Sequence, residues 1–207
     1  MEPYEIENQY YKQGITYLAG VDEAGRGPLA GPVFAAAVVL PNGQFIDGVT
    51  DSKKLSEKKR QSLYDKIIEE AAAYSIALAD EKVIDQINIR NATFQAMNQA
   101  VEHLVIQPSF VLIDGNAIKG MKLPHECVVK GDLLCNCIGA ASILAKVARD
   151  RFMQKCHEAY PEYGFDQHKG YPTKHHYEML RKYGPCPIHR MSFLKKFFAQ
   201  EEGTKRP

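Results

Sequence analysis

The run VFAAAVVL at residues 33–40 is the longest apolar stretch of the chain, eight residues followed by the turn sequence PNGQF. Its length suits a largely buried strand and falls far short of the roughly 20 residues a bilayer requires. Around it the pattern alternates between strand and helix. Ile15–Asp22 reads as a strand, Ser56 as the N-cap of a helix to about Ala73, and Tyr74–Ala79 as a third strand. A helix from about Asn91 to Val105 follows, with Phe94, Met97, Val101, Leu104 and Val105 at helical spacing. Phe110–Ile113 and Glu126–Lys130 read as short strands, the segment CIGAASILAKVARDRFM as a long helix, and Ser192–Gln200 as a closing amphipathic piece. Such alternation predicts an α/β fold: a mixed central β-sheet flanked by helices, with a C-terminal helical segment.

Composition agrees with a packed domain. Of 207 residues, 45% are apolar and 25% charged, so the chain is neither disordered nor membrane-spanning. The N-terminal stretch MEPYEIENQYYKQG is polar and lacks a signal-peptide core. The five cysteines, at 127, 135, 137, 156 and 186, are an odd number that suits reduced thiols in the cytoplasm. Cys135, Cys137, Cys156 and His157 could suggest zinc, but Cys135 and Cys137 stand two apart in a helical pattern and point to different faces. They read as small packing residues.

Charge is uneven. Residues 1–141 carry 13 Lys/Arg against 18 Asp/Glu, whereas residues 142–207 carry 13 against 7 and hold five of the seven histidines. A basic third of this kind suits a polyanionic partner.

The candidate acids fall at strand ends: Asp22 after the first, Asp114 after the fourth, Asp132 after the fifth, with Glu23 beside Asp22. Open α/β sheets gather their sites at such ends. A cluster of carboxylates repels itself unless cations offset the charge, and hard oxygens are what Mg²⁺ prefers. Two divalent ions about 3.5–4 Å apart can serve both oxygens of an in-line phosphoryl displacement. Because side chains alternate along an extended strand, Asp22 and Glu23 cannot share a face; Gly25 and Gly27 would let the chain turn and bring Glu23 inward. The residues thus point to a metal-dependent enzyme acting on a phosphodiester. PLAGP lacks the lysine of a nucleotide-binding P-loop.

Seven motifs in order make the reading specific: GVDEAGRGPLAGPV, DSKKLS, LIDGN, KGD, AASILAKVARDRFM, YGFDQHKGYPT and HRMSF. Together they resemble the bacterial ribonuclease HII family over about residues 16–193. The resemblance implies an RNase H-like fold, with residues 16–207 as one type-2 domain after an extension at 1–15. It further implies a helical substrate-binding appendage at about 173–200. The activity implied is metal-dependent cleavage, with two Mg²⁺ or Mn²⁺ ions, of the RNA strand of RNA–DNA hybrids. Incision 5′ of single ribonucleotides in duplex DNA, leaving 3′-hydroxyl and 5′-phosphate ends, is implied as well; the roles would be ribonucleotide and primer removal. Asp22, Glu23, Asp114 and Asp132 map onto the family's catalytic, metal-binding acids.

By the same resemblance the Gly25–Arg26–Gly27 turn senses the ribose 2′-hydroxyl, the group that separates RNA from DNA at a given site, and Tyr171 stacks on the neighbouring deoxyribose. Lys53, Lys146 and Arg149 are candidate phosphate contacts, which Arg190, Lys195 and Lys196 could extend. His168, His175, His176 and His189 read as structural or phosphate-proximal. Cys135 and Cys137 stand where the family often has serine, which puts only those hydroxyls' hydrogen bonds in doubt. The implied protein is a cytoplasmic monomer with no membrane contact. Two rivals stay open: the type 3 branch, which usually carries an N-terminal platform and departs from the glycine–arginine–glycine turn, and an inactive nucleic-acid-binding module of the same fold.

Overall fold

The structure, a computed structural model, describes residues 4–204, so the first and last three residues lie outside it. Helix α1 (Glu5–Lys12) leads into strands β1 (Leu18–Ala24) and β2 (Val33–Val39). Then come α2 (Glu57–Glu70), β3 (Ala73–Ala79), α3 (Glu81–Glu102), β4 (Phe110–Asp114) and β5 (His125–Val128). A single turn, α4 (Gly131–Leu134), precedes the long α5 (Asn136–Ala159). A 3-10 turn at Pro161–Tyr163, α6 (Phe165–His168), α7 (Lys174–Tyr183) and α8 (Met191–Thr204) follow.

The sheet is mixed, as predicted, in the order β3-β2-β1-β4-β5. β1 pairs antiparallel with β2 and parallel with β4. Every residue of β2 is buried, because helices cover both faces. On one face Ala36 shares a core cluster with Ala140 and Ala141 of α5; on the other Ala35 and Ala37 share one with Ala92, Ala96 and Ala100 of α3. Small residues let these layers approach closely. Between the sheet and α5 the backbones come closest at Gly20 of β1, where an added Cβ would stand 2.2 Å from the carbonyl carbon of Cys137. Cys137 is fully buried there, a packing residue as expected. A third apolar cluster, including Leu29, Met153, Phe165, Leu180 and Leu194, fastens α6, α7 and α8 to the loop after β1. Among the described residues no helix is long and apolar enough to cross a membrane.

The N-terminal segment packs onto this body through one buried carboxylate. Glu7 accepts the backbone N–H of Asn136 at 2.7 Å and of Cys137 at 2.9 Å. It thereby caps α5, where an anion is favoured by the helix dipole. Burial is the main influence on this carboxyl and raises its pKa; the two hydrogen bonds oppose that. Glu7→Ala would orphan both donors and is expected to cost about 1–3 kcal/mol. Urea unfolding should show this as a lowered midpoint, with a smaller loss for Glu7→Gln, which keeps an acceptor oxygen.

Several elements differ from their sequence reading: α2 ends at Glu70 rather than near Ala73, and β5 stops at Val128, short of Lys130. β1 runs past Asp22 because Glu23 and Ala24 still pair with Ala35 and Phe34. The helix expected from Asn91 begins at Glu81, capped by Asp80, and is interrupted at Asn88, whose φ is 66°. Asn88 recaps the second half by accepting the N–H of Asn91 at 3.1 Å, so the visible periodicity belongs to that half alone. It ends at Glu102, leaving Val105 87% exposed rather than on the buried face. Asp132 lies in the first turn of α4, beyond the strand end.

Candidate active site

β1 and β4 are parallel neighbours, and this brings their C-terminal acids together. Asp22 is almost wholly buried. Burial first, then the charges of Glu23 and Asp114, push its carboxyl well above the usual range, while hydrogen bonds from Ser142 and the Glu23 N–H oppose this. Glu23 is raised by burial and by Asp114, against the pull of Arg26 and Lys53. Asp132 is raised by burial and then by Asp114 and Asp51, with Lys53 opposing. Asp114 is thus the common neighbour of the other three acids. Its Oδ1 accepts the N–H of Gly131 at 2.8 Å. A Cβ on Gly131 would stand 2.6 Å from Ile138 Cδ1 and 3.4 Å from Asp114 Oδ1, so glycine lets the β5–α4 turn close over this carboxylate.

Asp22 and Glu23 do alternate in direction, because the strand stays extended through both. The glycine turn follows only after Ala24, so it does not rotate Glu23. Glu23 reaches Asp114 by standing at the sheet's end, and its Oε1 lies 3.3 Å from Arg26 Nη1. In this arrangement no three His, Cys, Asp or Glu side chains among the described residues are gathered tightly enough to hold a cation.

A cleft of about 440 Å³ opens beside the acids, lined by Glu23, the Gly25–Arg26–Gly27 turn, Lys53, Lys146 and Tyr171, together with Ser52, Arg60 and Ser142. Arg26 and Tyr171 are exposed. Lys146 is paired with Asp150 at 2.7 Å, and burial lowers its pKa. Ser52, Arg60, Ser142 and Asp51 were not singled out from sequence. Ser52 and Ser142 share a hydroxyl hydrogen bond of 3.0 Å, and Arg60 donates to the Ser52 carbonyl at 2.9 Å. DSKKLS and AASILAK carried the signal, but only their lysines resembled contacts.

Two predicted phosphate contacts require correction. Arg149 and Arg190 are 1% and 0% exposed, with their guanidinium groups spent on backbone carbonyls. Arg149 donates to Pro32 and Ala30 at 3.1 Å each and to Lys169 at 3.0 Å. Lys195 and Lys196 are exposed on α8 but do not line the cleft.

His176 and His189 are buried behind Tyr171, with His168 half-buried beside them and His175 exposed. His176 and His189 are pushed down to about 4, chiefly by burial and then by neighbouring histidines. Both are therefore neutral in the folded state near pH 7, whereas the unfolded chain protonates them near pH 6.5. The unfolded state then binds more protons below that value, and stability falls as pH drops from about 6.5 towards 4. The raised carboxyls of Asp22, Glu23 and Asp132 take up protons in the folded state and act in the opposite sense. The histidine contribution is therefore read against His189→Gln: on going from pH 7.5 to pH 5.5 the wild-type thermal midpoint should drop further, or rise less, than that of the variant. The same change in both proteins would contradict it.

Comparison with known proteins agrees with this geometry. A family model described as Ribonuclease HII matches residues 19–196. The ribonuclease HII of Caldicellulosiruptor bescii is 54% identical over 196 residues, covering 95% of each chain. The crystal structure of ribonuclease H2 from Pyrococcus horikoshii superposes with a TM-score of 0.77 at 29% identity, covering 92% of this chain and 100% of that one. Bst-RNase HIII in complex with Mn²⁺ shares the fold, with a TM-score of 0.69 at 16% identity over 95% of this chain and 73% of that one. The match to the first family model takes in every residue of the cleft and all four acids, and on it this chain belongs to the ribonuclease HII family.

Proposed function

We propose that this protein is a metal-dependent endoribonuclease that cleaves the RNA strand of RNA–DNA hybrids and incises duplex DNA 5′ of a single embedded ribonucleotide. The observation that carries this reading is an acid cluster centred on Asp114 that reaches, through Glu23, into the cleft holding Arg26 on its glycine-flanked turn and Tyr171. The donor set is all carboxylate, and Asp114 raises the other three acids, a repulsion that hard divalent ions relieve. Asp22, Glu23, Asp114 and Asp132 would hold two Mg²⁺ or Mn²⁺ ions. When bound, such ions polarise the phosphoryl oxygens and ready a water for in-line attack.

The chain's own residues do the rest. Gly131 holds one oxygen of Asp114, leaving the other free to ligate. Glu23 has to leave Arg26 to join the cluster, a low-cost move because the pair is partly exposed. Arg26, released, reaches towards the substrate, and the backbone of its turn approaches the ribose, where the 2′-hydroxyl can be read. Tyr171 offers a ring face to the neighbouring deoxyribose. Lys53 and Lys146 meet phosphates without reading bases. All these groups come from one chain, so a monomer suffices. The unpaired cysteines suit a reducing cytoplasm, where ribonucleotide and primer removal would be the tasks.

Titrating Mn²⁺ into the wild type and into Asp22→Asn by calorimetry, alongside cleavage of a long hybrid, tests the reading. Binding and cleavage should both be strong in the wild type and both be lost in the variant. Hybrid binding without metal uptake or cleavage would favour the inactive binding module.

A further inference from the structure

Loops 25–32, 168–173 and 186–190 come from distant parts of the chain, yet they are knit together at the cleft. Leu29 N–H donates to the Gly170 carbonyl, Gly31 N–H to Ile188 and Arg190 N–H to Leu29, each at 2.8 Å. Ala30 and His189 form a bridge between two of these loops. His189 and Arg190, adjacent in sequence, are both buried here, and their side chains serve different halves of the cleft.

Arg190 serves the turn. Its Nη2 donates to Gly25 at 2.7 Å, its Nη1 to Arg26 at 3.1 Å and Pro28 at 2.8 Å, and its Nε to Gly31 at 2.8 Å. Four carbonyls on one rigid fork leave the turn little freedom. Lysine, a flexible point donor, could not replace that geometry.

His189 serves Tyr171 through His176. The Tyr171 carbonyl can only accept, so the His176 nitrogen 3.0 Å away, Nδ1, bears the proton. In a neutral ring Nε2 is then an acceptor, and it lies 2.9 Å from His189 Nε2, which must donate. This leaves His189 Nδ1 as the acceptor, and it meets the Cys186 N–H, which can only donate, at 2.9 Å. Both ends of the relay demand the same tautomers.

We propose that His189 and Arg190 are positioning residues that set ribonucleotide specificity, Arg190 by fixing the Gly25–Gly27 turn and His189 by fixing Tyr171 through His176. This rests on the reading of Arg26 and Tyr171 as the groups that recognise the RNA-to-DNA junction. Neither residue touches substrate, so their loss acts on discrimination more than on chemistry at the carboxylates.

The test is the ratio of two cleavage rates, on duplex DNA holding one ribonucleotide and on a long hybrid, measured below each variant's melting temperature. Arg190→Lys removes the fork. His189→Asn keeps an acceptor near Nδ1 but leaves His176 without its donor, whereas His189→Gln restores a donor near the Nε2 position. The ratio should fall at least ~10-fold in Arg190→Lys and His189→Asn, by analogy with the cost of ångström-scale misplacement, and recover in His189→Gln. In a Tyr171→Ala background His189→Asn should add nothing further, a non-additivity that general destabilisation would not produce. If Arg190→Lys does not fold, the His189 series decides alone. An unchanged ratio in folded His189→Asn, with wild type cutting both substrates, would overturn this inference and leave the proposed function standing. A wild type that cuts only hybrids would overturn the junction reading and this inference with it.

Discussion

Asp114→Asn should abolish cleavage, by at least ~10³-fold, while leaving the metal-free protein as stable as the wild type or more so. The two effects have one origin. Asp114 raises the carboxyls of Asp22, Glu23 and Asp132, so removing its charge relieves repulsion in the empty cluster. Asparagine keeps the side-chain oxygen that accepts the Gly131 N–H, and the β5–α4 turn has no reason to shift. What is lost is the central anionic ligand. Thermal unfolding in EDTA and hybrid cleavage in Mn²⁺ would show the two effects separately. A variant that is both inactive and several degrees less stable would assign Asp114 a structural role instead.

Gly25→Ala should be nearly as damaging, for a different reason. Gly25 has φ of 99°, and a Cβ there would stand 2.1 Å from Arg149 Nε. The left-handed backbone alone costs about 1–3 kcal/mol for an ordinary residue. Arg149 cannot retreat, because three backbone carbonyls hold it. The turn must move, so stability should fall by about 2–4 kcal/mol and single-ribonucleotide cleavage should fall further than hybrid cleavage. Gly27 supplies the contrast: its Cβ would sit 3.5 Å from Tyr171 Cε1, an ordinary contact, and its φ is not in the left-handed region. Gly27→Ala should therefore leave the unfolding midpoint almost unchanged. Equal destabilisation at both positions would contradict this division.

Much of this was legible in the sequence, for definite reasons. VFAAAVVL could only be covered on both sides, and acids fell at or just beyond the ends of the strands around it, so the mixed sheet and its carboxylate edge followed from pattern. The motifs carried the turn and Tyr171. Arg149 and Arg190 were misread because a lone arginine is most often at the surface. Nothing in their local sequence shows that loops from residues 25–32 and 169 would supply carbonyls to bury them. Glu7 was hidden for the same reason: its partners on α5 are some 130 residues away. The first half of α3 escaped because Asn88 breaks the helical phase. For the arginines and Glu7 the missing information was tertiary; for α3 it was a local break in the backbone.

The most direct measurement is to map cleavage of a DNA duplex holding one ribonucleotide, with Mg²⁺ or Mn²⁺, beside a long RNA–DNA hybrid and an all-DNA duplex. A cut 5′ of the lone ribonucleotide, absent from plain DNA, from reactions without metal and from Asp114→Asn, is the predicted result. Cleavage of the hybrid alone, or binding of all three with no cut, would contradict it.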